Sequence, residues 1–491
     1  MNPAPFAGAN AATPYLAQPD AKLHRKLCRS LEEAVKRSGL KDGMTISFHH
    51  AFREGDKVVN LVIDTLARMG FKNLTLASSS LLNVHDPLIE HIKNGVITGI
   101  YTSGLRGRLA EAVSSGALPR PVQVHSHGGR VHLLQTGELA IDVAFLGVAC
   151  CDEYGNANGS HGALSCGSLG YAKVDAQYAR TVVLLTPEIV PFPNDPVSVS
   201  QDRVDLIVKV ETVGDPSLIS AGATRVTKNP RDLLIARRAA DVVEHCGYFN
   251  DGFSMQTGSG ASSTAATRFL EERMRRKGIT ASFALGGITG GIVDLHKKGL
   301  IKELVDVQSF DREAAESLRT SPSHREISAN EYANPTSKAA YVDRVDVVIE
   351  SALEIDLDFN VNVITGSDGV MRGASGGHCD VAAGANLLII ATPLVRSRLP
   401  TVVRRVTTRL TPGESVGVLV TDQGIAVNPA RADVEQRLRT AGLPVVTIQE
   451  LHQRAVALTG EPEPLQFLDR VVGVIRYRDG SVIDVVRQVK P

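Results

Sequence analysis

Tryptophan is absent and aromatic residues make up only 4% of the 491-residue chain, so large flat side chains contribute little to its core. Net charge is also missing: 53 basic residues balance 53 acidic ones. A nucleic-acid binder normally carries a basic surplus or stripe, and none is expected here. No apolar run approaches the roughly 20 residues of a membrane span. Residues 1–20 lack a charged start and a compact apolar stretch, so a signal peptide is not expected and a cytoplasmic location is. That segment is rich in Ala, Pro and Asn, and residues 1–25 are expected to form a flexible N-terminal arm. The six cysteines are scattered without metal-ligand spacing, and the adjacent Cys150 and Cys151 read as small buried strand residues rather than a redox switch. What the chain does have is glycine (44 residues) and short clusters of Val, Ile and Leu, the composition of buried parallel strands in α/β proteins.

A self-similarity at a spacing of about 200 residues is far too long for a solenoid and indicates a duplicated domain. In the first copy, Asp42-Gly43 leads into a strand over 44–48, a helical pattern over 58–69 closed by Gly70, and a strand over 74–77 entering Ser78-Ser79-Ser80. In the second, Asp251-Gly252 leads into a strand over 253–256, the loop Thr257-Gly258-Ser259-Gly260, a helix over 264–277 closed by Gly278, and a strand over 282–285 entering Gly286-Gly287. Strands alternating with helices predict α/β architecture: two related domains, each a mainly parallel sheet flanked by helices. The expected divisions are 26–228 and 229–491, with the join between Thr212 and Leu234, where Gly214-Asp215-Pro216 and Asn229-Pro230 punctuate the chain. Ligands of open α/β sheets bind beyond the carboxyl ends of the strands. Both copies place glycine- or hydroxyl-rich loops there, so a cleft between the domains is expected.

The segment from Gln256 to Ser263 joins a strand to a helix, where glycines admit close approach and N–H groups attract an anion or developing oxyanion. Tight packing alone explains such a turn equally well. It is neither a Walker loop nor a dinucleotide site, for want of a following Lys-Ser/Thr or an acidic partner. Gly373-Ala-Ser-Gly-Gly-His378, preceded by Arg372, is a second such loop. A third is Ser126-His-Gly-Gly-Arg130, where His125 and His127 would share one strand face; with no third ligand nearby, no metal site is expected. His49-His50-Ala-Phe-Arg53 follows the first strand, and its cationic groups suit an anionic substrate, with ordinary surface polarity as the alternative. The cluster Glu271–Lys277 reads as a solvated helix face, or less readily as a dock for an acidic protein. No Gly-x-Ser-x-Gly elbow is present, so a serine nucleophile is not supported.

Asp142–Gly147 followed by Cys151-Asp-Glu-Tyr-Gly-Asn156, together with Gln256–Gly260, Gly291–Leu295 and Gly373–Gly377, resembles the CoA-transferase superfamily (NagB/RpiA/CoA transferase-like). Ser47–Arg53, Leu74–Ser80, Tyr101–Gly107, His125–His132, Ile327–Asn334 and Thr421–Pro429 more closely resemble citrate lyase alpha chains, from about Lys26 onward. That resemblance implies a citrate CoA-transferase-type activity: acetyl on an acyl carrier protein thioester is exchanged for citryl, releasing acetate. It implies a citrate lyase complex with a beta (citryl-ACP lyase) chain and the acyl carrier protein gamma chain, and an oligomeric assembly. No cofactor would be bound by this chain itself; the carrier would supply a phosphopantetheine-type, dephospho-CoA-derived arm. Two departures matter. Gly286 stands where covalent CoA-transferases carry a glutamate nucleophile, and His49–Arg53 replaces a glycine loop. Both fit exchange through a mixed anhydride with no covalent enzyme intermediate. Oriented reactants and oxyanion donors then matter most, a role expected of the backbone N–H groups of Gly258, Gly260, Gly286 and Gly287. Arg53, Arg130, Arg372 and His378 are the expected clamps for citrate. An acetyl-CoA hydrolase or covalent CoA-transferase using free CoA, and a non-catalytic metabolite-binding module, are the alternatives.

Overall fold

The computed structural model describes residues 26–220 and 227–490. The expected N-terminal arm, and residues 221–226 of the expected join, lie outside the described residues. Two large sheets organise the chain. The first has ten strands: β1 (Leu27–Cys28), β2 (Thr45–Phe48), β3 (Leu74–Ser78), β4 (Ile97–Thr102), β5 (Val122–Val124), β6 (Val143–Gly147), β7 (Thr181–Thr186), β8 (Leu206–Lys209), β18 (Phe467–Arg476) and β19 (Val482–Val489), in spatial order β1-β8-β7-β6-β2-β3-β4-β5-β18-β19. The second has nine: β9 (Ser254–Thr257), β10 (Ala281–Ile288), β11 (Ile301–Ser309), β12 (His324–Glu326), β13 (Val347–Glu350), β14 (Leu387–Ala391), β15 (Val418–Thr421), β16 (Gly424–Val427) and β17 (Val445–Val446), in order β12-β11-β10-β9-β13-β14-β15-β16-β17. Only the β18–β19 and β15–β16 ladders within these sheets are antiparallel.

The duplication is visible in the topology. In each sheet the chain first adds strands outward on one side, from β2 to β5 and from β9 to β12. It then returns to the starting strand and continues on the other side, with β6 beside β2 and β13 beside β9. Each sheet therefore has one switch point, the place where a doubly wound sheet opens a crevice at its carboxyl edge. Continuous Val/Ile/Leu runs in the central strands are buried on both faces, as helix-covered parallel strands require. One apolar core runs from the first sheet into residues of the second, among them Leu285, Val305, Val307 and Ile327, so the two halves share buried surface.

The expected division at 228/229 does not hold at the far end of the chain. β18 pairs in parallel with β5, placing Val474 opposite Gln123 and Ile475 opposite Val124. The C-terminal hairpin thus completes the first sheet, because β5 would otherwise leave an unpaired edge. Ile475 is fully buried in this join. Ile475→Ala is expected to cost about 2–5 kcal/mol of unfolding free energy, the range for emptying a well-packed isoleucine site. Urea unfolding followed on the whole chain measures it; an unchanged midpoint would show the hairpin to be an appendage.

The charged cluster at 271–277 lies on the helix Ala261–Lys277 and is paired with its neighbour, the helix Pro230–His245. Arg273 meets Asp241 and Glu244, while Arg276 and Lys277 both reach Glu244. These three cations join the two helices, while Arg275 pairs with Glu271 on its own helix. The pair His125 and His127 also differs from expectation. β5 ends at Val124, and His127 opens the helix His127–Thr136, so the two rings share no strand face.

Candidate functional site

Beyond the carboxyl end of β9 lies the Gly258–Gly260 loop, while its switch-point partner β13 ends on Glu350 and is followed by Ser351. Across from them, the segment after β2 carries His50 and Arg53. All line one cleft of about 360 Å³ between the halves, within the size range of small-molecule sites. Main-chain bonds tie its walls: Ser375 N–H donates to Ser103 O at 2.7 Å and His127 N–H to Gly376 O at 2.9 Å. The Gln308 amide donates to His50 O at 3.0 Å.

The lining is strongly cationic. Four arginines (Arg53, Arg106, Arg372, Arg396) face it against one carboxyl group, that of Glu350. Arg53 is buried, its guanidinium lies 4.7 Å over the Phe310 ring, and its Nε has no hydrogen-bond partner among the described residues. Burial first, and then the neighbouring Arg106, push its pKa down to about 10. Its backbone sits at φ 52, a left-handed conformation that costs a non-glycine residue of order 1–3 kcal/mol. A strained, desolvated, unpaired cation beside a second one, half-buried in the same wall, is held ready for an anion.

Three histidines line the cleft as neutral rings. Burial lowers His50 well below the usual imidazole range and brings His127 to about 3 and His378 to about 4. His378 uses both ring nitrogens, Nδ1 with Thr411 Oγ1 at 2.7 Å and Nε2 with Ser351 O at 3.2 Å. It braces the Ser351 turn and is not the cationic clamp expected from sequence. Arg130 is a second correction. Its guanidinium is 1% exposed, absent from the cleft lining, and forked onto the Asp175 carboxylate at 2.9 and 3.0 Å, with Ala77 O at 3.2 Å. Its Nη1 has no hydrogen-bond partner among the described residues, but the side chain is closed off from the cleft, so the charge serves the fold and does not meet a substrate there. Arg372 does line the cleft, half-exposed and paired with Asp368 and Glu111.

The glycines divide similarly. Gly258, Gly260 and Gly287 line the cleft; Gly286 does not. The Gly258 N–H is spent on Ile349 O at 2.8 Å, which corrects its expected role as an oxyanion donor. Gly260 instead N-caps the helix Ala261–Lys277, whose first N–H groups have no intrahelical acceptors. Gly286 has φ 98 beside a bulge in the β10–β11 ladder, and a Cβ there would meet the Gln256 amide at 2.8 Å. Gln256, itself bonded to Tyr332 Oη at 3.0 Å, fills the space that a side chain at 286 would enter. A neutral amide thus occupies the space that a glutamate side chain at position 286 would need.

Glu350, Arg106 and Arg396 were not among the residues predicted for the site. Glu350 ends an apolar strand at a sheet's carboxyl edge, and a charged residue at that position is the signal that could have marked it. Arg106 stands one residue before its helix, Gly107–Ser114, and no local pattern separates it from an ordinary surface arginine.

Two doubly wound sheets, repeated in one chain and facing each other across an arginine-lined cleft with glycine loops at the switch points, define a CoA-transferase-like α/β protein. Solved structures agree: the alpha subunit of a malonate decarboxylase from Acinetobacter baumannii shares this fold with TM-score 0.65 at 14% identity, covering 91% of this chain and 99% of its own. The chain belongs to the family described as citrate lyase, alpha subunit (CitF), whose model matches residues 24–489. It is 67% identical over 486 residues to the citrate lyase alpha chain of Klebsiella pneumoniae, covering 99% of this chain and 96% of that one. The corresponding Escherichia coli chain is 66% identical, with 95% and 91% covered. An alpha subunit of citrate lyase from Streptococcus mutans, solved in complex with citrate, matches with TM-score 0.93 at 52% identity, covering 95% of this chain and 92% of its own.

Proposed function

We propose that this chain is the transferase subunit of a cytoplasmic citrate lyase complex, exchanging acetyl for citryl on the thioester of an acyl carrier protein. The observation that carries the reading is the unpaired Arg53 beside Arg106 in the same cleft as the Gly258–Gly260 loop, in a member of a family with a citrate-bound relative. Planar guanidinium groups match carboxylates two bonds at a time, so the pair suits an anion with several carboxylates. Arg53 and Arg106 hold two carboxylates of citrate, with Arg372 able to exchange its exposed ion pairs for contact at the rim.

The carrier's phosphopantetheine-type arm brings the acetyl thioester to the N-terminus of the helix Ala261–Lys277. A free citrate carboxylate attacks the thioester carbonyl, releasing the arm's thiolate and forming a mixed citryl–acetyl anhydride. The thiolate then attacks the citryl carbonyl, giving citryl thioester and acetate. Both steps pass through tetrahedral oxyanions, which the unpaired N–H groups at that helix start stabilise. No enzyme carboxylate need enter the sequence, in keeping with the glycine at 286 and the amide of Gln256 beside it. Holding the reactants together supplies much of the acceleration, since effective molarities of oriented groups reach about 10⁵–10⁸ M.

The direct test mixes the purified chain with acetylated carrier protein and citrate. Citryl-carrier and acetate are expected in equal amounts. Acetate release without citryl-carrier would establish a hydrolase instead.

A further inference from the structure

The one acidic side chain of the cleft has no part in the scheme above. Glu350 ends β13 at the switch point of the second sheet, and its carboxyl lies against the backbone of Gly258: a Cβ on that glycine would come within 1.9 Å of Oε2. Glycine at 258 thus makes room for this carboxyl. Glu350 forms no salt bridge in the described residues, and no side chain donates a hydrogen bond to it; only the Ser351 backbone supports its charged form. Burial pushes its pKa up to about 8, so at neutral pH it is mostly a carboxylic acid.

The surroundings agree with that state. Facing it are Tyr332, kept neutral first by burial, and the Gln256 amide, which is bonded to Tyr332. His378, neutral, is anchored to Ser351 O. The arginines 53, 106, 372 and 396 line the cleft without pairing with Glu350. The N–H groups opening the helix Ala261–Lys277 favour an anion and pull the other way. An ionised carboxylate here would repel the incoming polycarboxylate, whereas a neutral acid has an O–H to donate.

Resting on the transfer reaction proposed above, we propose that Glu350 is a catalytic residue which, as the neutral acid, donates a hydrogen bond to the thioester carbonyl oxygen as negative charge develops on it. Its proton stays on the carboxyl, so the residue is unchanged over a cycle. Together with the helix N–H groups it completes a set of donors around one oxygen. A carboxylic acid held neutral by burial is suited to this task, because donation stops once the proton is lost.

Transfer by the full chain, with acetylated carrier protein and citrate, is measured from pH 6.5 to 9.5. The wild type is expected to lose activity as pH rises through about 8, because the donating form is the protonated one. Glu350→Gln keeps an N–H donor of similar reach and cannot titrate. It should retain transfer within about tenfold of wild type and lose the alkaline fall, while Glu350→Ala drops roughly 10²–10³-fold, the loss typical of one oxyanion donor. A Glu350→Gln variant as inactive as Glu350→Ala, an alkaline fall that persists in it, or a hydroxylamine-trapped adduct on Glu350 overturns the proposal. Infrared difference spectra of wild type against Glu350→Gln decide the protonation state independently of turnover. A carboxylic C=O band at pH 7 that vanishes by pH 9.5 is expected, and its absence sinks the idea. If the wild type transfers nothing, the proposed transferase function fails, and the infrared result still stands for or against the neutral acid.

Discussion

Arg53→Met is expected to lower kcat/KM for citrate by roughly 10²–10³-fold while raising the thermal midpoint of the free protein. The loss follows from removing a desolvated guanidinium that meets a substrate carboxylate; truncating one partner of such a pair costs about 2–5 kcal/mol. The stability gain follows from the same desolvation. Arg53 is 7% exposed, without a partner on Nε, and is pressed toward its neutral form by burial and by Arg106. Methionine fills similar volume over Phe310 without a charge to hide, and removes that repulsion. Lysine should not restore activity, because a point charge cannot make two parallel bonds to one carboxylate. Citrate supplies the second readout: it should raise the midpoint of the wild type and leave that of Arg53→Met nearly unmoved, since a ligand stabilises only the state that binds it. A variant with undiminished citrate turnover would place the substrate elsewhere in the cleft.

The contrast between Arg53 and Arg130 shows where sequence reasoning reaches and where it stops. The repeated strand–helix pattern, with a glycine closing the helix at 278, is local, and such signals predict the two parallel sheets well. The loops after β2 and β9 were legible as site-forming for the same reason: chain order in a doubly wound sheet places them at the carboxyl edge. What an arginine does there depends on who meets it across the fold. Arg130 finds Asp175, 45 residues away, and is tied down by it; Arg53 feels Arg106 and the more weakly acting Glu54, forms no ion pair among the described residues, and is left available. His378 likewise finds Thr411 and the Ser351 carbonyl, partners that no local pattern announces. The closing hairpin of the first sheet was missed because its partner strand lies some 350 positions earlier, with β18 joining β5. Glu350 carries one local mark, a charge ending an apolar strand at the carboxyl edge, but its lack of an ion pair among the described residues is visible only in the fold.

Arg130→Ala should cost about 3–5 kcal/mol of stability, the expectation for stripping one partner from a buried ion pair. The guanidinium is 1% exposed and binds both Asp175 oxygens at 3.0 and 2.9 Å, so its removal strands a carboxylate that is itself fully buried. The same cut frees the Ala77 carbonyl at the end of β3. Replacing both charges, as in Arg130→Met with Asp175→Leu, should recover most of the loss, because an apolar pair of similar volume pays no desolvation cost. A double-mutant cycle on unfolding free energies therefore gives a large coupling energy. The kinetics separate this pair from the site: at a temperature where the double variant is folded, its KM for citrate should stay within about twofold of wild type, since neither side chain lines the cleft. A double variant that folds but no longer saturates with citrate would return Arg130 to the binding site. Arg53 and Arg130 should thus split the two properties between them, one variant gaining stability as it loses turnover, the other losing stability with its citrate affinity intact.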